Sequence, residues 1–212
     1  MAMARPGNDS SIKTLFVVDD QPVIHLGLAA MLSDQPRLRL IGAARTFEQA
    51  AQSIGRQPPD LFIVGLWFAD HTGLGIIHRL HDRWPNTPVL VLGCYDEMIF
   101  AERALHAGAR GFVMSNASRE SILAAIKKVL AGEIHVSQAV AAHIVQLSVD
   151  GRSSDGKLSR LSDRELEVYE LIARCRSVKE IAEMLHRSVK TIETHREHIK
   201  LKLGINSSRE LS

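Results

Sequence analysis

The chain has 212 residues, 45% hydrophobic and 24% charged, with 26 Lys and Arg against 24 Asp and Glu, a net charge of +2. That balance excludes a strongly basic or acidic binding surface as an explanation by charge alone, and the length predicts two modest domains. Two widely separated cysteines, Cys94 and Cys175, exclude a disulfide framework and a cysteine-based zinc site.

Residues 1–11 are small and polar, with no apolar stretch of signal-peptide length, and are expected to form a disordered leader. Nothing further on approaches a membrane span, so a cytoplasmic protein without membrane contact is expected. Short apolar runs then recur: LFVV at 15–18, LRLIGA at 38–43, LFIV at 61–64, VLVL at 89–92 and GFVM at 111–114. Each has strand length, and the intervals carry helical spacing, as in Ile24, Leu28, Met31 and Leu32 or Ile122, Ala125, Ile126 and Val129. Strands apolar on both faces predict a parallel sheet covered by helices on both sides. The expected fold is a doubly wound α/β domain over residues 12–135, five-stranded with order 2-1-3-4-5.

Residues 136–157 read as a linker helix, SQAVAAHIVQL, followed by a flexible linker, SVDGRSSDGK. Residues 158–212 read as a small all-α domain of short helices. Ser162 with Glu165, and Ser177 with Glu180, form capping-box patterns, and Ser188 caps a third helix from Val189 to about Leu203. That succession is a helix-turn-helix. From Leu158 onward there are 11 Lys and Arg against 9 Asp and Glu, leaving 15 against 15 before it.

On the third helix, Val189, Ile192, Arg196, Ile199 and Leu203 are expected to face the core. Lys190, Glu193, Thr194, Glu197, His198 and Leu201 point the other way, a ridge suited to a major groove. Glu193 could accept from a cytosine amine and Thr194 could touch a thymine methyl. Arg187, Ser188, Lys190, Thr191, Lys200 and Lys202 could hold phosphates.

The stretches LSDRELEVYELIA, KEIAEML, SVKTIETH and KLGI resemble the LuxR-type helix-turn-helix. The resemblance implies sequence-specific binding of double-stranded DNA, with Glu193, Thr194 and Glu197 reading bases. Two departures stand out: Cys175 replaces the usual glycine at a helix end, and the chain stops at Ser212. NSSREL opens a fourth helix with a capping box from Ser207 to Glu210, and in the family that helix continues and supports pairing, so its truncation puts that contact in doubt.

The first 135 residues resemble a response-regulator receiver domain, and the tandem resembles the NarL/FixJ family. The resemblance implies that Asp19 and Asp20 are the acidic pair after strand one. It also places the phosphoryl acceptor at Gly65, the switch hydroxyl at Gly93, the lysine at Ser115, and a Met-Pro pair at Phe68 and Ala69. Phosphoryl transfer needs a carboxylate nucleophile and Mg²⁺ to offset charge. With acceptor, hydroxyl and lysine all absent, a degenerate, non-phosphorylatable pseudo-receiver is expected. Asp70 is not expected to take over as acceptor, and Mg²⁺ at Asp19 and Asp20 should bind weakly. Without a fixed cation the close acids should resist double ionisation; Asp19 and Asp20 are read as a leftover, partly solvated pair, with a cation or a partner's basic group as the alternative occupant of the pocket.

Trp67 and Phe68 are read either as exposed docking aromatics or as packing over the altered pocket. Cys94 is expected to be buried, and His71, His78 and His81 are not expected to bind metal. No glycine-rich phosphate loop and no nucleophile-base pair is present, so the chain is not read as an enzyme. The expected function is a phosphorylation-independent, dimeric transcription regulator, with activity set by expression level, by a protein or small ligand at the receiver, or by constitutive dimerisation through receiver helices. The alternative is a protein-interaction module that antagonises a partner regulator or kinase.

Overall fold

The computed structural model describes residues 11–55, 57–68, 73–94, 97–149, 160–173 and 176–205. The leader up to residue 10, Ala69, Asp70, His71, most of the expected flexible linker, Cys175 and the Ser207 capping box lie outside the described residues.

Five strands form one parallel sheet in the order β2-β1-β3-β4-β5: β1 Lys13–Val18, β2 Leu38–Ala44, β3 Leu61–Gly65, β4 Val89–Gly93 and β5 Gly111–Met114. Side chains alternate across a strand, so each apolar run supplies two cores. Phe16, Val18, Phe62, Val64 and Val91 face α2 (Phe47–Ser53), α3 (Gly73–Arg83) and α4 (Glu97–His106), against Ile77, Leu80, Phe100 and Ala104. Leu15, Val17, Leu61, Ile63 and Leu92 face α1 (Pro22–Leu32) and α5 (Arg119–Leu130), against Leu28, Leu32, Ile122 and Ile126.

Two local features depart from the expectation. Strand β2 alternates between half-buried and exposed residues instead of being apolar on both faces, because it forms the sheet edge. The short helix α2 has no apolar repeat to announce it; it begins where the Thr46 side chain accepts from the Gln49 N–H.

Beyond α5 the chain returns to the sheet. His135 bridges Gly111 in parallel, its carbonyl accepting from Phe112 N–H at 2.7 Å. Helix α6 (Gln138–Val149) then lies on α4, with Val140 buried and the Ser137 hydroxyl donating to Glu97 Oε1 at 2.7 Å. The linker helix is therefore packed on the α/β domain.

The C-terminal unit is α7 (Asp163–Ala173), α8 (Val178–Met184) and α9 (Val189–Leu203). Leu166, Ile181, Ile192 and Ile199 close its core. Gly204, at φ 68°, ends α9 in the left-handed conformation that a glycine adopts without strain. No helix among the described residues is long and apolar enough to cross a membrane.

Candidate functional site

Parallel strands deliver their C-terminal exits to one edge of the sheet, where doubly wound domains hold their ligands. Asp19, Gly65, Gly93 and Ser115 follow or end β1, β3, β4 and β5 there. Leu66 N–H bonds to the Leu92 carbonyl at 3.3 Å, and Ser115 N–H to the Gly93 carbonyl at 2.6 Å. The residues singled out from the sequence are thus neighbours.

The spaces left by the two glycines are filled from the side. A Cβ built on Gly65 would stand 2.1 Å from Asp19 Oδ2 and 2.8 Å from its Cγ. The Asp19 carboxylate therefore occupies the volume of the missing side chain. Its Oδ1 accepts from Gln21 N–H at 2.7 Å, and His25 Nε2 lies 2.7 Å from the Asp19 carbonyl. At Gly93 the intruder is aromatic: a Cβ there would meet Phe112 Cζ at 2.2 Å and Cε1 at 2.7 Å. Trp67 packs edge-on against Phe100 with centroids 5.4 Å apart, and Phe68 is buried, so these aromatics pack rather than present a docking surface.

Asp19 is only 3% exposed, whereas Asp20 is half-buried, so partial solvation holds for Asp20 alone. Burial raises its pKa to about 6; the Gln21 N–H opposes that, and Asp20 adds a smaller upward push. Desolvation, rather than repulsion within the pair, is the larger cause. The donors present do not fit a magnesium ion, since the one buried carboxylate is already turned onto Gly65 and Gln21. Among the described residues no group of three or more His, Cys, Asp or Glu could hold a metal. Cys94 is exposed, contrary to expectation, because β4 ends at Gly93 and Cys94 is the first residue beyond the strand.

A carboxyl whose folded pKa lies above its unfolded value binds its proton more tightly in the folded state. Its contribution to stability is full below about pH 4 and is lost as pH rises through about 6. Asp19→Asn, which keeps an acceptor for Gln21, is expected to stabilise the protein at pH 7 by about 1–3 kcal/mol. Urea unfolding at pH 5 and pH 7 checks it: a difference between variant and wild type that does not grow with pH refutes the assignment.

On the C-terminal unit, the ridge of α9 is open. Lys190, Glu193, Thr194, Glu197, His198 and Leu201 are all exposed, while Ile192, Ile199 and Leu203 are buried. Two expected core positions differ: Val189 is exposed and Arg196 half-buried, Val189 being in the first turn. The Ser188 hydroxyl caps α9 on Thr191 N–H at 3.1 Å. Lys200 donates to Glu197 at 2.6 Å, and Lys202 to Glu165 of α7 at 2.5 Å. Arg187, Ser188 and Lys190 are exposed at the entry to the ridge, and Thr191 is half-buried.

Sequence reasoning missed the polar groups behind this ridge. Glu167 of α7 is fully buried, paired with Arg164, and desolvation raises its pKa to about 7 against the pull of that arginine. Arg164 also donates to the Leu185 carbonyl at 3.3 Å, tying α7 to the end of α8. His186 in the following turn takes φ 47°, a conformation costly for a non-glycine residue. An acidic residue flanked by apolar ones at helical spacing was the available signal.

Residues 15–127 match the response regulator receiver domain, and residues 159–212 match the bacterial regulatory proteins of the luxR family. The chain is 32% identical over 203 residues to the oxygen regulatory protein NreC of Staphylococcus aureus (strain JH9), covering 93% of this chain and 94% of that protein. Among solved structures it is similar to RcsB from Salmonella enterica serovar Typhimurium bound to promoter rprA in the presence of phosphomimetic BeF3-. That likeness has 22% identity, 95% and 96% coverage and a TM-score of 0.62. The LuxR-family two-component response regulator from Aurantimonas sp. SI85-9A1 is 22% identical, covering 66% of this chain and 99% of that one, with a TM-score of 0.59.

Proposed function

The chain belongs to the response regulators that join a receiver domain to a LuxR-type DNA-binding domain, and from that membership we propose that it regulates transcription by binding specific DNA, with a receiver that phosphorylation does not switch. We assign residues 12–135 to the receiver, 136–157 to the linker helix and linker, and 158–212 to the DNA-binding domain. The observation that carries the reading is the exposed polar ridge on a capped α9. Glu193, Thr194 and Glu197 are the base-reading residues. Arg187, Ser188, Lys190, Thr191 and Lys200 face phosphates, and Lys202 contributes from its place beside Glu165. Two copies on two half-sites would double the ridge.

The phosphorylation-independent part rests on chemistry. Gly65 offers no carboxylate, Gly93 no hydroxyl and Ser115 no ammonium, and Asp19 and Phe112 occupy the first two places. A receiver so filled has no nucleophile at the acceptor position, residue 65.

Genome-wide DNA capture with the purified full-length protein tests both parts, run with and without acetyl phosphate and against a Thr194→Ala, Glu197→Ala variant. Enriched sites are expected with wild type, lost in the variant and unchanged by acetyl phosphate, with no shift on a phosphate-affinity gel. A shifted band sinks the independence. Absence of mutation-sensitive sites favours the second reading, a module that antagonises a partner protein. One observation speaks for that reading: α1 leaves Val23 and Leu26 67% and 71% exposed.

A further inference from the structure

Helix α4 carries more than its share of the sheet. Near its first turn, Glu97 accepts from Ser137 at the entry to α6. One and a half turns on, Arg103 reaches the C-terminal unit: Nη1 donates to Asp163 Oδ1 and Nη2 to the Leu161 carbonyl, each at 2.8 Å. The Arg103 side chain is 20% exposed and that of Asp163 47%, so the arginine end of the pair is withdrawn from solvent while the carboxylate end is partly screened. Its two acceptors are separated along the entry to α7, so a guanidinium fork restrains rotation as well as distance.

What Arg103 grips is fixed in turn to α9. Ser162, between its two acceptors, shares a reciprocal capping box with Glu165: Ser162 N–H donates to Oε2 at 2.7 Å, and Glu165 N–H to the serine hydroxyl at 3.3 Å. The same Glu165 holds Lys202 of α9 at 2.5 Å, and His198 Nδ1 stands 3.7 Å away. Glu193, Thr194 and Glu197 take part in none of these bonds and remain exposed. The contact thus leaves the reading face outward.

We infer that Arg103 is a positioning residue for DNA binding: it mounts the DNA-binding domain on α4 in a fixed orientation, so that the receiver dictates the spacing of the half-sites a dimer accepts. The inference rests on the DNA-binding reading above. Both ends of the segment between α6 and α7 are anchored to the same helix, so the chain between them need not set the domain's direction. A domain held only by a linker samples many directions and tolerates many spacings; a mounted one concentrates its reading helix at one.

The test takes full-length wild type, Arg103→Ala and Arg103→Lys through selection from a random duplex library. The winning duplex is then titrated, together with versions whose half-sites are moved closer or further apart and a version keeping one half-site. Arg103→Ala is expected to lose roughly tenfold on the selected spacing, to lose little on the altered spacings, and to match wild type on the single half-site. Arg103→Lys, which keeps a charge for Asp163, is expected to recover part of the preference. An unchanged spacing preference in the alanine variant overturns the inference. So does an equal loss on the single half-site, which marks a merely structural role, and so does tighter binding to every duplex, which marks a restraining contact. Selection of unpaired half-sites by wild type also overturns it. Failure of wild type to select any sequence overturns the DNA-binding reading itself, a different result from wild-type selection with an indifferent Arg103→Ala.

Discussion

Gly93→Thr is expected to cost the receiver domain about 3 kcal/mol of stability. The added Cβ would sit 2.2 Å from Phe112 Cζ, and all three nearest atoms belong to that ring. The ring is 1% exposed, so it cannot swing clear without opening a cavity or moving α4. A hydroxyl is therefore not restored by substitution at this position alone. Urea unfolding of Gly93→Thr, Phe112→Leu and the double variant checks the claim. The double variant is expected to be more stable than the sum of the single losses allows, because the smaller side chain vacates the contested space. A Gly93→Thr protein as stable as wild type would mean the ring yields freely, and the filled-pocket account would fall.

Glu165→Ala is expected to destabilise the DNA-binding domain by about 2–3 kcal/mol and to abolish capture of the DNA sites. One nearly buried carboxylate serves the cap of α7 and holds Lys202 on α9. Burial pushes its pKa up, but Lys202 and Ser162 outweigh that and hold it below the ordinary glutamate value. A depressed carboxyl contributes stability above its unfolded pKa and loses it as pH falls through the folded one, so the wild-type advantage should vanish in acid. Glu165→Gln, which keeps an acceptor for Ser162 N–H, is expected to lose less. Thermal melting of the three proteins at neutral and acid pH decides it; an alanine variant that melts with wild type removes Glu165 from the framework of α9.

Much of this was legible in the residues. The runs at 15, 38, 61, 89 and 111 became β1 to β5 because strand length and β-branched content are local properties. The order 2-1-3-4-5 followed from the fivefold alternation of strand and helix that marks a doubly wound sheet. Ser162, Ser177 and Ser188 announced α7, α8 and α9, since a cap and its third residue lie within one turn. The absence of a carboxylate, hydroxyl and lysine at 65, 93 and 115 was also a matter of reading letters. Helix α2 was less legible, with seven residues and one buried alanine.

The sequence by itself thus determined the two-part architecture, the helix that faces DNA in the proposed reading, and the glycine, glycine and serine at 65, 93 and 115 on the sheet edge. Only the tertiary structure decided what fills the space at the two glycines: Asp19 from β1 over Gly65, and Phe112 from β5 against Gly93. It also decided that α6 lies on α4 and that Arg103 holds Leu161 and Asp163. The physical reason is range. Periodicity and capping act over a few residues, whereas a volume left by a glycine is filled by whichever side chain the fold brings beside it, and an arginine pairs with an acid 60 residues away only after both domains have formed.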